Sequence, residues 1–302
     1  MSSRAKSGAT LSCDRAFKEL RSNLELTGLQ EKTVATRQKS VRAAAERQLT
    51  VTDSFLTGSY RRQTLISPLK QADVDIVIVL DSSYKSRGPR AVLDLVRQSL
   101  IEEYKKGTKI SRNGQAVTIT FADFIVDVVP AFPRPWWAWD SSGLDICDSG
   151  RDRWITTNPK RHVEISARAN CAHDGQLVPR IKQLKAWNRN AGDPLHSFHL
   201  EALAWSIFGT SWWWYNSQAS DWAGARYFFK RAYDKLSTPL ADPAGTGKDV
   251  AVYLHGNALQ AARSMARTAF ERCDRAQKAL KEDDPATMHE AYRRVFGDCY
   301  TG

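Results

Sequence analysis

The run Ala72-Asp73-Val74-Asp75-Ile76-Val77-Ile78-Val79-Leu80 limits the possible folds more than any other stretch of the chain. After its two acids it is β-branched and apolar, the pattern of a strand buried within a sheet. Side chains alternate along a strand, so Asp73 and Asp75 share one face. Carboxylates held that close repel each other, and a divalent cation is the usual relief. Upstream, Gly58-Ser59-Tyr60-Arg61-Arg62 supplies a glycine turn, a hydroxyl and two cations. The Ser59 hydroxyl, the backbone amides beyond Gly58 and a following helix N-terminus would suit a phosphate chain. Downstream, Ile125-Val126-Asp127-Val128-Val129 is a second strand-like run with one acid in it. A small turn, a carboxylate pair and a later single carboxylate are the parts of a two-metal nucleotidyl-transfer site. Alternation alone does not separate Asp127 from Asp123, which shares its face in a regular strand, and Asp140 is a further candidate.

Composition narrows the partners. A length of 302 residues with 42% hydrophobic and 25% charged side chains suits a soluble protein of one large or two intimate domains. The net charge of +11 favours a polyanionic ligand, either nucleoside triphosphates or a nucleic-acid strand. Five scattered cysteines without a Cys-x-x-Cys pair argue against a disulfide framework and against a cysteine zinc site. No leader-like or membrane-length apolar run is present, so a reducing cytoplasm and no membrane are expected.

The order of elements is mixed α/β, then helical. Two helices are expected between residues 12 and 48, with Phe17, Leu20 and Leu24 as one stripe and a break at Gly28. A strand from Thr50 leads into Gly58. The Asp73–Leu80 strand is followed by a helix from Pro89 to Lys106, with Val92, Leu95 or Val96, Leu100 and Ile101 facing inward. Asn113-Gly114 marks a hairpin, and Phe124–Val129 is a strand that Pro130 should stop. An aromatic-rich irregular crossover follows, through Trp136, Trp137, Trp139 and Ser141-Ser142-Gly143. Helices are then expected over Gln176–Asn190, Ser197–Phe208, Asp221–Leu236, Ala251–Lys281 and Ala286–Phe296. Residues 1–160 thus form N-terminal helices plus a sheet core, and 161–302 a helical lobe. Trp212-Trp213-Trp214-Tyr215 is expected in packing rather than in base stacking.

Gly58-Ser59-Tyr60-Arg61-Arg62-Gln63-Thr64, Ser67-Pro68-Leu69, Asp73-Val74-Asp75 and Val126-Asp127-Val128-Val129-Pro130 together resemble the polymerase-β-like nucleotidyltransferases, and within them the bacterial cGAS/DncV-like enzymes (CD-NTases). The likeness continues at Lys185-Ala186-Trp187-Asn188, Ser197-Phe198-His199-Leu200-Glu201 and Asp242-Pro243-Ala244-Gly245. It implies an α+β fold, a twisted mixed-sheet palm closed by a helical lobe. The implied activity is synthesis of a cyclic di- or trinucleotide, or a short oligonucleotide, from NTPs in anti-phage defence, with pyrophosphate released and a downstream effector reading the product. It selects Asp127 as the third carboxylate, with Asp73, Asp75 and Asp127 holding two Mg2+ (or Mn2+) ions. It places Gly58, Ser59, Lys185 and Ser197 on the triphosphate, with Lys182 as the nearby alternative. Asn170 falls where relatives contact a nucleobase, although a loop or capping asparagine accounts for it as well. Neither zinc nor a nucleic-acid activator is expected.

Lys182, Lys185 and Arg189 share a helix face that could equally be a solvated basic surface. Gly245-Thr246-Gly247-Lys248 lacks the spacing of a phosphate-binding loop, and His196 with His199 lacks a third metal ligand. The end, Asp298-Cys299-Tyr300-Thr301-Gly302, is expected to be a mobile tail, open to conjugation through Gly302 or to an accessory regulatory protein. Two other functions are weighed. One is a template-independent RNA nucleotidyltransferase of the poly(A) or CCA type; the other is a non-catalytic nucleic-acid-binding scaffold.

Overall fold

The computed structural model describes residues 8–104, 107–138, 142–209 and 220–302. Trp139, Asp140 and Ser141 of the crossover, and the Trp212–Tyr215 cluster, lie outside them. The chain forms two compact units, Leu26–Ser166 on one side and Met1–Glu25 with Ala167–Gly302 on the other. The first helix therefore belongs with the C-terminal helices rather than with the sheet, because its stripe is buried there. Phe17, for instance, sits edge-on to Tyr292 at 5.0 Å and to Phe296 at 5.5 Å.

The unit Leu26–Ser166 is built on a seven-stranded sheet. Its strands are β1 (Val51–Leu56), β2 (Asp73–Leu80), β3 (Lys109–Asn113), β4 (Ala116–Thr120), β5 (Ile125–Pro133), β6 (Leu144–Asp148) and β7 (Arg153–Thr157). The order is β1-β2-β5-β4-β3, with β6 beside β5 and β7 beside β6. Only β2 and β5 pair in parallel. Helix α2 (Gly28–Glu46) opens with a capping box between Thr27 and Gln30, and α4 (Pro89–Glu103) opens with proline in its first turn. Val34, Val41, Val92, Leu93, Val96 and Leu100 from these helices join Val74, Ile76, Ile78, Leu80, Val126 and Val128 in the main core. Each such side chain is worth about 1.5–3 kcal/mol when fully buried. The other face carries a smaller cluster of Val77, Val79, Ala131 and Ile146, with Phe55, Val129, Leu144 and Ile155 packed against it. Strand β2 is apolar on both faces because both are covered. Where that second cluster ends, its odd positions become Asp75 and Asp73.

Several expectations needed correction. Strand β5 runs through Pro130 to Pro133. Pro130 lies between the end of the β4 ladder at Val128 and the start of the β6 ladder at Ala131, and on its other side it stays in register with Ile78 of β2. The segment after the crossover is the β6–β7 hairpin, and a helix α5 (Pro159–Ala172) follows it. Ile101 is exposed, the core side of α4 being filled by Leu100.

The second unit contains α1 (Gly8–Leu24), α6 (Leu177–Asn190), α7 (Ser197–Phe208), α8 (Asp221–Lys235), α9 (Gly256–Lys281) and α10 (Pro285–Phe296). Ala262, Ala266, Ala269, Cys273 and Ala276 make a narrow buried stripe along α9, which packs between α8 and α10. The C-terminal residues dock here rather than moving freely. Tyr300 is 1% exposed, its ring 5.6 Å from that of Phe17. Asn23 Nδ2 donates to the Cys299 carbonyl at 3.1 Å, Thr301 Oγ1 to Glu19 at 2.9 Å, and Arg293 to the Gly302 carbonyl. A Cβ at position 302 would stand 2.4 Å from His289 Nδ1. Among the described residues, no helix is long and apolar enough to cross a membrane.

Candidate active site

Parallel pairing of β2 with β5 sets the acids side by side. Asp75 is in register with Asp127, and Asp73 with Ile125, so the three carboxylates occupy one face of two adjacent strands. Asp73 is exposed, while Asp75 and Asp127 are half-buried. The Asp73 carboxyl is pushed above its usual range, first by desolvation and then by the negative charge of Asp127. Asp127 Oδ1 accepts a 2.6 Å hydrogen bond from Thr118 Oγ1, its antiparallel neighbour on β4. Thr118 was missed from the sequence, although the alternation in Ala116–Thr120 puts it on the polar side. Asp123 lies before β5 and pairs with Arg37 of α2 at 3.3 Å, while Arg37 covers the Phe121 ring. It is a tie between helix and sheet, which separates it from Asp127.

The glycine turn meets these strands directly. β1 leads into the short helix α3 (Gly58–Arg61), and Thr57 N–H donates to the Asp75 carbonyl at 2.9 Å. Gly58 has φ of 61°, and a Cβ there would lie 1.7 Å from Asp75 Oδ2. Only glycine fits between the turn and the carboxylate. Ser59 is buried, its carbonyl accepting from Thr64 N at 2.9 Å and Leu65 N at 3.1 Å. Glycine, serine and three acids thus belong to one unit. With Asp127 turned to Thr118 and Asp75 against Gly58, no three acid, histidine or cysteine side chains converge on a single point among the described residues. The donor set is nonetheless all carboxylate oxygen, the chemistry of a hard divalent cation. The repulsion that raises Asp73 is the kind a cation would relieve.

The remaining expected residues belong to the other unit, where Lys182, Lys185 and Asn170 have partners. Helix α6 is buried all round from Arg180 to Asn188, so it presents no solvated basic face. Lys185 Nζ pairs at 2.7 Å with the fully buried Glu201 of α7, and Lys182 Nζ pairs at 2.5 Å with Glu25. Ser197, the first residue of α7, is exposed. Asn170 Oδ1 accepts from Val178 N–H at 2.9 Å, and its carbonyl accepts from Gly175 N–H at 2.9 Å. It pins the turn between α5 and α6, the loop or capping role that the sequence also allowed. His199 Nδ1 meets the Tyr253 hydroxyl at 2.9 Å and His196 stacks on that ring, so both histidines serve packing.

A mixed sheet with three carboxylates on one face, entered by a glycine–serine turn, defines the nucleotidyltransferase class. Residues 11–170 match the Second Messenger Oligonucleotide or Dinucleotide Synthetase domain, and the chain belongs to that family, the bacterial CD-NTases. A protein of Bacillus cereus (strain VD146), named a probable cyclic nucleotide synthase, is 26% identical over 273 residues, 80% of each chain. The structure of CdnC from E. coli MS115-1 with ATP has a TM-score of 0.74 at 16% identity, covering 96% of this chain and 99% of that one. Vibrio cholerae DncV cyclic AMP-GMP synthase, in complex with the linear intermediate 5′ pppA(3′,5′)pG, has a TM-score of 0.69 at 18% identity, covering 97% and 88%. At these identities the two structures speak for the fold.

Proposed function

We propose that the chain joins nucleoside triphosphates into a cyclic di- or trinucleotide, or a short oligonucleotide, and that Asp73, Asp75 and Asp127 are its catalytic carboxylates. The carrying observation is the in-register pair Asp75 and Asp127 beside a glycine that no other residue can replace. Asp73 and Asp75 would hold both ions, magnesium or manganese, and Asp127 would complete the site at the attacking ribose hydroxyl. Bound there, the ions supply Lewis-acid stabilisation of the reacting α-phosphate and of the departing oxygen. Thr118 fixes one oxygen of Asp127, leaving the other for the site. Gly58 lets the turn close on Asp75, and Ser59 binds the triphosphate with its hydroxyl. Ser197 is exposed and remains a candidate for the phosphate tail. Lys182 and Lys185 would have to leave carboxylate partners to join it.

Relatives named as cyclic nucleotide synthases, and neighbours solved with ATP or with a linear dinucleotide, support NTPs as substrates. Family membership implies a signalling product read by an effector in anti-phage defence. A double Asp73→Asn, Asp75→Asn variant tests the carboxylate assignment. It should fold, since neither group packs the core, and should lose at least about two orders of magnitude in pyrophosphate release. Retained turnover in the folded variant would place the chemistry elsewhere.

A further inference from the structure

One polar row crosses four adjacent strands of the sheet. Asp75 of β2 stands opposite Asp127 of β5, Asp127 opposite Thr118 of β4, and Thr118 opposite Ser111 of β3. All four residues are half-buried, whereas Val117 and Ile119, on either side of Thr118, are buried in the main core. Alternation therefore turns Thr118 away from that core and toward the acids. Valine would suit this strand as well as threonine does, so strand formation does not account for the hydroxyl. Its bond to Asp127 does. An ionised carboxylate only accepts, so Thr118 Oγ1 donates to Asp127 Oδ1, at 2.6 Å. That length is within the range of about 2.5–2.7 Å for a charge-assisted O–H···O− bond.

A carboxylate can meet a cation through one oxygen or through both. Calcium takes about 6–8 oxygens and accepts two from one carboxylate, whereas magnesium is smaller and demands near-octahedral geometry. The bond from Thr118 engages Oδ1 and fixes the side chain of Asp127, which leaves Oδ2 as the oxygen to offer. We propose that Thr118 is a positioning residue that makes Asp127 a one-oxygen ligand and thereby sets the preference of the site for magnesium over larger cations; this rests on the carboxylate assignment above. Without the hydroxyl, Asp127 is free to present both oxygens, an arrangement that favours calcium. Strands β5 and β2 lie between Thr118 and the end of β1 that leads into Gly58 and Ser59. Loss of the hydroxyl should thus change turnover and ion choice and spare nucleotide affinity.

Displacement of terbium luminescence by Mg2+ or by Ca2+, with no nucleotide present, reads the affinity of the chain for each ion. Thr118→Val should lower the preference for Mg2+ over Ca2+ by about tenfold, and Thr118→Ser, which keeps the hydroxyl, should hold the wild-type value. In pyrophosphate release with Mg2+, Thr118→Val should lower kcat about tenfold with KM for NTP nearly unchanged, and serine should again restore it. The melting temperature of the valine variant should stay near wild type; Thr118→Ala, also without the hydroxyl, repeats the measurement if valine disturbs the strand. An unaltered ion preference in both hydroxyl-free variants would overturn the proposal, as would a serine variant that behaves like valine. Asp127→Asn keeps the two claims apart, since it should weaken both ions. If it weakens neither, or if the wild-type chain binds neither ion, the carboxylate assignment falls and this inference with it.

Discussion

Gly58→Ala puts a methyl group where the Asp75 carboxylate now lies. The new Cβ would be 1.7 Å from Oδ2 and 2.7 Å from Cγ, so the carboxylate must turn away. Driving that side chain off its rotamer costs about 0.5–1.5 kcal/mol. A φ of 61° adds about 1 kcal/mol for an alanine. Together these lower stability by about 2 kcal/mol, or roughly 3 °C in Tm for a chain of this size. The effect on turnover should be far larger, because a displaced Asp75 can no longer act with Asp73 and Asp127. A loss of about 100- to 1,000-fold in pyrophosphate release is expected. Thermal melting and turnover measured on one preparation separate the two effects. A folded Gly58→Ala protein with near-normal turnover would refute the reasoning, since Asp75 could then be moved without consequence.

Three further substitutions probe the helical unit. Lys185→Ala strands the fully buried Glu201 without its lysine and should cost about 3–5 kcal/mol in urea unfolding; Lys185→Met with Glu201→Leu should recover most of that, and a neutral single variant would contradict a structural ion pair. Burial pushes His199 down to about 4 from a usual 6.5. The unfolded chain therefore takes up the proton first, and stability should fall by about 2 kcal/mol between pH 7.5 and pH 5; His199→Gln should flatten that part of the curve, and an unchanged slope would count against it. Tyr300→Ala removes a buried ring from the Phe17 cluster and should cost about 3–5 kcal/mol, whereas a change below about 1 kcal/mol would return the tail to free motion.

The sheet end of the site was legible because strand periodicity is strict. Asp73 and Asp75 must share a face wherever β2 is placed, and the β-branched run fixes that strand inside the sheet. The exclusion of Asp123 was not legible from alternation. It depends on where β5 begins and on Arg37, which is distant in sequence. The β6–β7 hairpin was hidden by the neighbouring prolines and tryptophans, although Leu144–Cys147 and Trp154–Thr157 each carry strand-forming residues. Lys182 and Lys185 looked like a basic face because helical spacing reports neighbours on one helix only. Their partners, Glu25 and Glu201, come from other parts of the helical unit. The tail was misjudged because counting apolar positions stopped at Phe296, one turn short of Tyr300.

Incubating the purified chain with labelled NTPs and magnesium, with no nucleic acid present, tests the central claim most directly. Small phosphatase-resistant products with matching pyrophosphate release are predicted, identifiable by mass spectrometry as each NTP is omitted in turn, and absent from the Asp73→Asn, Asp75→Asn protein. Extension only of an added RNA would point to a template-independent polymerase, and no turnover under any condition to a binding scaffold; either result would contradict the account.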